Sequence, residues 1–220
     1  IVHTLHSLVF HDYQPWAVNR LWWAIKKLCA PITDHFISVS SVISEKALAA
    51  GIGDPERYTT IYSGMELDWF DGQELDPAAT RVELGIPEGS PVVGKIARLF
   101  PLKGHDQLLD AAPAIVQRCP EVRFLLVGDG ELDEHLRTRV QELGISENFV
   151  FNGLVPRERI PEMLSAMDVL VHTSLREGLA RVLPQALAMG KPCVAFDVDG
   201  AREVVITGET GRLVRRLAFS

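Results

Sequence analysis

The stretch Ser174-Leu175-Arg176-Glu177-Gly178-Leu179-Ala180-Arg181-Val182-Leu183-Pro184-Gln185-Ala186-Leu187 carries the densest chemistry in the sequence. Glu177 stands just ahead of a predicted helix start, Gly178 follows directly, and Gln185 comes eight positions on from the acid. Pro184 has no N–H and is tolerated only in a helix's first turn, which puts that start near Ala180 or Arg181. Backbone N–H groups at such a start lack intrahelical partners and lie at the positive end of the helix dipole, where an anion is favoured. Gly178 lets an anion come close to the backbone. The layout can hold a nucleotide-sugar, with phosphates at the helix mouth and hydroxyls on Glu177 and Gln185. Taken alone, it is explained equally well by an ordinary helix start with an acid beside it.

A second motif, Gly94-Lys95-Ile96-Ala97-Arg98-Leu99-Phe100-Pro101-Leu102-Lys103-Gly104, sets two cations in one loop. Arg98 offers a planar fork and Lys103 a compact charge, a pairing suited to a diphosphate. A solvated loop would account for an isolated pair of this kind. Two such loops at one sheet edge shift the balance toward a ligand. Val127-Gly128-Asp129-Gly130 can pass backbone close to a base or sugar, or can be a tight strand-to-helix turn. Strand alternation would send both carboxylates of Asp197-Val198-Asp199 to one side, yet so short a pattern reads as a loop pair, and metal as a minor reading. Glu203 reads as structural. His6 ends the first predicted strand, where a histidine is more often a hydrogen-bonding group than a catalytic one.

These loops need elements to hold them. From about residue 90, apolar runs of strand length alternate with segments of helical period. Strands are predicted at 91–97, 122–127, 149–151, 169–172 and 193–196. Helices are predicted at 105–117, 131–143 and 160–166, with another from the opening motif to Gly190. Continuous apolar strands between helices imply a parallel sheet covered on both faces, with ligands outside the carboxyl ends of the strands. The earlier part is separate: a helix at 16–28, strands at 1–5, 36–39 and 58–62, and a helix at 44–50. Residues 71–90, rich in Gly, Pro, Asp and Glu, read as an irregular connection. The expected organisation is an incomplete first domain over 1–75, a linker over 76–90, and a second domain over 91–220 that lacks its last helices.

The bulk numbers narrow the function. Hydrophobic residues make up 47% and charged residues 23%, so the chain folds. A net charge of -7 argues against nucleic acid as a partner, because phosphate-backbone binding needs a basic surface. Cys29, Cys119 and Cys193 are far apart and odd in number, which fits neither a zinc site nor a disulfide framework and favours a reducing, cytoplasmic compartment. No apolar run is long enough to span a bilayer. No P-loop, G-x-S-x-G elbow or H-E-x-x-H sequence occurs.

Together these segments resemble the retaining nucleotide-sugar glycosyltransferases of family 4, also called group 1 glycosyltransferases. The likeness runs through Gly94–Gly104, Phe124–Gly130, Phe151–Val155, Met167–Val171, Ser174–Gly190, Lys191–Ala195, Gly200–Val204 and Gly208–Gly211, with Ile37–Ser40 and Ile61–Glu66 in the first part. It implies an α/β chain of GT-B type: two Rossmann-like domains with parallel sheets and an active site in the cleft. It implies transfer of a sugar from a nucleoside diphosphate sugar, as co-substrate, to an unknown acceptor, with no cofactor and no metal required. Carried over by position, Arg98 and Lys103 stabilise the donor diphosphate, Glu177 contacts donor-sugar hydroxyls, and Gly178 and Leu179 supply backbone to the phosphate. His6 matches the first-domain histidine near the donor sugar, and Leu154 falls where backbone meets the base.

The family motif ends in a glutamate on the ribose hydroxyls, where this chain has Gln185. A carboxylate accepts from both hydroxyls, whereas a carboxamide has one acceptor oxygen and a donor NH2. Weaker donor binding is expected, by roughly 1–2 kcal/mol. Trp16, Trp22, Trp23, Lys26 and Lys27 on one helix give a peripheral membrane contact at the inner face as an expectation, although a helix packed on the first domain fits the pattern better. Two other functions stand beside the transferase: a non-catalytic nucleotide-sugar-binding relative and a GT-B sugar epimerase. The 220 residues by themselves are expected to be inactive.

Overall fold

The computed structural model describes residues 1–66, 69–70 and 74–215. They form two compact units. The first is Ile1–Met65 with Glu177–Ala180, and the second is Glu66–Arg176 with the residues from Arg181 onward.

The first unit is built on a three-stranded parallel sheet of β1 (Val2–Leu5), β2 (His35–Ser38) and β3 (Tyr58–Thr60), in that order. Parallel neighbours need crossovers, and α1 (Trp16–Cys29) and α2 (Ser41–Ala49) supply them. α2 begins three residues earlier than its apolar pattern predicts, because Ser40 in extended backbone accepts the Ile43 N–H at 3.4 Å as an N-cap. Leu5, Phe36, Ile43, Ala47 and Ile52 form the core, with Phe36 stacked on Tyr58 at 4.7 Å between ring centroids.

α1 buries none of its residues. Val18, Leu21, Trp22, Ile25 and Leu28 recur at helical spacing and are all exposed. Other α1 residues serve the unit itself. Trp23 Nε1 donates to the Ala50 carbonyl at 2.9 Å, Lys26 Nζ meets His3 Nε2 at 2.8 Å, and the Arg20 and Lys27 cations lie over the Trp23 ring.

The second unit holds a six-stranded parallel sheet of β4 (Val92–Ile96), β5 (Arg123–Val127), β6 (Phe149–Gly153), β7 (Val169–His172), β8 (Cys193–Phe196) and β9 (Gly211–Val214). Its order is β6-β5-β4-β7-β8-β9. The chain starts at the centre with β4, winds outward to β6, returns beside β4 as β7, and winds the other way. The order reverses between β4 and β7, which is where an open parallel sheet opens a crevice at its carboxyl edge. The connecting helices are α4 (His105–Arg118), α5 (Asp133–Glu142), α6 (Ile160–Ser165) and α7 (Val182–Ala188). Leu108, Leu109, Phe124, Leu126, Leu136 and Phe149 pack as one core cluster. Cys193 in β8 is sealed, and burial pushes its thiol up to about 11.

The stretch read as a linker over 76–90 contains a helix, α3 (Pro77–Glu83), inside the second unit. Asp76 caps it by accepting the Ala78 and Ala79 N–H groups, each at 3.0 Å, and Pro77 fits its first turn. Arg81 anchors it, donating to the Ala166 carbonyl and to Asp168, both at 2.9 Å. The first unit ends at Met65, ten residues before the expected division near 75. Residues 71–73 of that stretch, and the chain end at 217–220, lie outside the described residues.

Candidate functional site

In the second unit the basic loop runs from the end of β4 to the start of α4, beside the order reversal. It is fixed from two sides. On one side, the Leu99 N–H donates to the Asp129 carbonyl at 2.6 Å, and the Leu132 N–H to the Leu99 carbonyl at 2.9 Å. A Cβ on Gly128 would come within 2.2 Å of the Ala97 carbonyl, and one on Gly130 within 2.5 Å of the Leu99 carbonyl. The Gly-Asp-Gly turn therefore seats the basic loop, which is a structural reason for both glycines. On the other side, the Leu175 N–H donates to the Leu102 carbonyl at 2.8 Å, and Thr173 Oγ1 donates to the Gly104 carbonyl. Gly104 has φ +70, and a Cβ there would sit 1.7 Å from the Thr173 carbonyl oxygen. Leu102, also left-handed at φ 66, is held in a conformation that costs a branched residue energy. This loop is thereby brought beside Thr173–Arg176, the first part of the opening motif.

Arg98 is exposed, with its guanidinium 4.7 Å from the Phe100 ring centroid, and Lys103 is half-buried. Behind them lies a buried polar group that the sequence reading passed over. Lys95, in β4, is 1% exposed, and its Nζ donates to Thr173 Oγ1 at 2.9 Å. His105 opens α4 and is buried, with Nε2–H donating to the Arg98 carbonyl at 3.0 Å. Desolvation, then the Lys95 charge, hold its imidazole down to about 4. His172, at the end of β7, is held down to about 3 by burial, then by Lys95 and Lys103. Among the described residues, His105 Nδ1 and Ser174 Oγ are buried side-chain atoms without a hydrogen-bond partner. A single lysine among apolar residues in Val92-Val93-Gly94-Lys95-Ile96 was the available signal, since a cation in a strand covered on both faces is rare.

The other expected residues of this unit fall in separate elements. Leu154 follows β6 and is 70% exposed. Gln185 sits half-buried in α7, one residue after Pro184. That helix starts at Val182, next to the start that Pro184 predicts, and is seven residues long. Asp197 and Asp199 do not share a strand face, because β8 ends at Phe196. Asp197 pairs with Arg202 at 3.0 and 3.1 Å, and Asp199 turns left-handed at φ 46. Among the described residues no group of three or more His, Cys, Asp or Glu is placed to hold a metal ion.

His6, Glu177, Gly178 and Leu179 belong to the first unit. His6 is exposed just beyond β1, and Glu177 is half-buried. Gly178 is buried, and a Cβ on it would lie 1.8 Å from the His6 carbonyl oxygen. Ser40 Oγ donates to the Gly178 carbonyl at 3.4 Å. The close approach that glycine permits at 178 is thus made to protein backbone.

Two α/β units on parallel sheets, the second gathering cations at its strand-order reversal, define an architecture of GT-B type. The chain belongs to the group 1 glycosyltransferases, whose family model matches residues 77–216. It is 31% identical over 232 residues to D-inositol 3-phosphate glycosyltransferase of Nocardia farcinica, covering 98% of this chain and 50% of that protein. It is 29% identical over 218 residues to 2-deoxystreptamine glucosyltransferase of Streptomyces kanamyceticus, covering 92% and 54%. Among solved structures, Anabaena HepE in complex with UDP-glucose matches with a TM-score of 0.84 and 30% identity, over 97% of this chain and 58% of that one. WaaG, at 18% identity and a TM-score of 0.83, shares the fold. The chain spans about half the length of the curated relatives it matches.

Proposed function

We propose that the chain is the donor-binding part of a retaining, metal-independent glycosyltransferase that takes a nucleoside diphosphate sugar. The observation that carries this reading is the basic loop of Arg98 and Lys103, clamped on both sides at the sheet's carboxyl edge. In the transfer, the bond from the anomeric carbon to the diphosphate oxygen breaks and its electron pair leaves on the diphosphate. The acceptor oxygen bonds to the same face of that carbon and gives up its proton to the departing diphosphate oxygen. Arg98 and Lys103 meet the negative charge that grows on the leaving group, and such preplaced charge is the largest lever on this kind of barrier. The roles carried over for Glu177, Gly178, Leu179 and His6 in the first unit, and for Leu154 and Gln185 in the second, belong to the same proposal, each within its own unit.

Supporting the donor class is HepE, whose complex contains UDP-glucose. Titration of the chain with UDP-glucose and GDP-mannose, followed by heat, tests it. One of them should bind, and Arg98→Ala should weaken it about tenfold or more, the scale of a lost charged hydrogen bond, with little change in melting temperature. Equal affinity in wild type and variant would remove the diphosphate role. Binding without sugar transfer by the full-length protein would favour the non-catalytic relative.

A second reading concerns α1. No helix of the described residues is long and apolar enough to cross a membrane. The exposed row Val18, Leu21, Trp22, Ile25 and Leu28 lies on a helix with no acid, where Arg20 and Lys27 stay exposed over the Trp23 ring while Lys26 meets His3, in a chain of net charge -7. That local reversal of charge suits an anionic lipid surface. The chain should float with phosphatidylglycerol vesicles at low salt and not with phosphatidylcholine vesicles. Failure to float, with dimers by light scattering, would assign the row to self-association instead.

A further inference from the structure

We propose that Lys95 is a positioning residue for donor binding, setting the basic loop through Thr173. The proposal rests on the donor reading above and adds a residue to which that reading gives no role. The relay is short. Lys95 Nζ donates to Thr173 Oγ1 at 2.9 Å, and Thr173 Oγ1 donates to the carbonyl of Gly104, the residue that ends the loop and caps α4. A hydroxyl has one proton to give and two lone pairs. The ammonium, which can only donate, occupies a lone pair and leaves the proton aimed at Gly104.

Two more contacts bind the same pieces. The Leu175 N–H holds the Leu102 carbonyl, and the Gly104 Cα lies so near the Thr173 carbonyl that no Cβ fits. Lys103 sits between Leu102 and Gly104, so this clamp fixes the backbone from which its ammonium extends. Leu102 at φ 66 needs such restraint, since the left-handed region is unfavourable for leucine. Burying a lysine is costly, and a Met of similar length would pack in its place. Burial, then the Lys95 charge, hold the imidazoles of His105 and His172 down.

Lys95→Met, Thr173→Val and Thr173→Ser, made in the chain as it stands, test the relay in two ways. Hydrogen exchange without nucleotide should quicken across 98–105 in Lys95→Met and Thr173→Val and stay near wild type in Thr173→Ser. Titration should show UDP weakened about tenfold in the first two, uridine unchanged, and Thr173→Ser within about twofold of wild type. Lys95→Met should melt no lower than wild type, which a purely structural role would not allow. Unchanged exchange in both disrupting variants overturns the proposal, as does an equal loss for UDP and uridine. A wild-type chain that binds no UDP would sink the donor reading, while the exchange measurement still decides the relay.

Discussion

In the proposed donor reading, a single atom type at Gln185 sets donor strength. There its carboxamide would present one acceptor oxygen to a pair of ribose hydroxyls that a carboxylate could hold together. Gln185→Glu should tighten UDP binding by about 1–2 kcal/mol, read by calorimetry. No gain would mean that this side chain does not meet the ribose. The residue is half-buried on α7, so the change should leave stability close to wild type. At this scale the sequence exposed some chemistry and hid some. Arg98 and Lys103 were legible because charges between a strand and a helix stand out. Lys95, Thr173, His105 and His172 were not, because their roles come from a neighbouring strand joined through residues far off in the chain, and no spacing encodes that.

Glycines at element ends report two different demands. Gly104 is left-handed at φ +70 and pressed against the Thr173 carbonyl, whereas Gly144 after α5 is left-handed at φ +67 with open space around its missing Cβ. Gly144→Ala should cost about 1 kcal/mol, the penalty of the conformation alone. Gly104→Ala should cost about 2–4 kcal/mol, because backbone must also move. Urea midpoints compare the two, and equal losses would mean that the clamp at Thr173 yields freely. Strands with apolar rhythm such as β7 and β8 were legible to the residue, whereas α2 begins three residues early and β9 had no signal of its own. α3 was not legible, since Asp, Pro, Gly and Glu around 71–90 look like a connection by composition. Its start signal, Asp76 followed by Pro77, was local and outweighed by that background. Asp197 and Asp199 read as a loop pair and lie outside the strand: alternation holds only inside a strand, and β8 stops at Phe196.

Stability of the whole molecule should follow pH through its buried histidines. In the unfolded chain they titrate near 6.5, but folded His105 and His172 are held down to about 4 and about 3. Below pH 6.5 the unfolded state therefore takes up protons that the folded state refuses. Stability is complete above that point and falls as pH drops toward 4 and then 3, by about 1.4 kcal/mol per pH unit per histidine. His3, lowered by burial and Lys26, acts in the same direction. Urea unfolding at pH 7 and pH 5 should show the loss, and His172→Gln should reduce it; a midpoint that does not move would contradict the burial of these rings. Cys193 adds something of another kind. Its thiol is sealed in β8 and pushed up to about 11, while Cys29 and Cys119 are partly exposed. Alkylation needs a thiolate in contact with reagent, so Cys193 reacts only when the sheet opens. The molecule thus carries its own stopwatch: the mass added at Cys193 over time counts how often the six-stranded sheet comes apart.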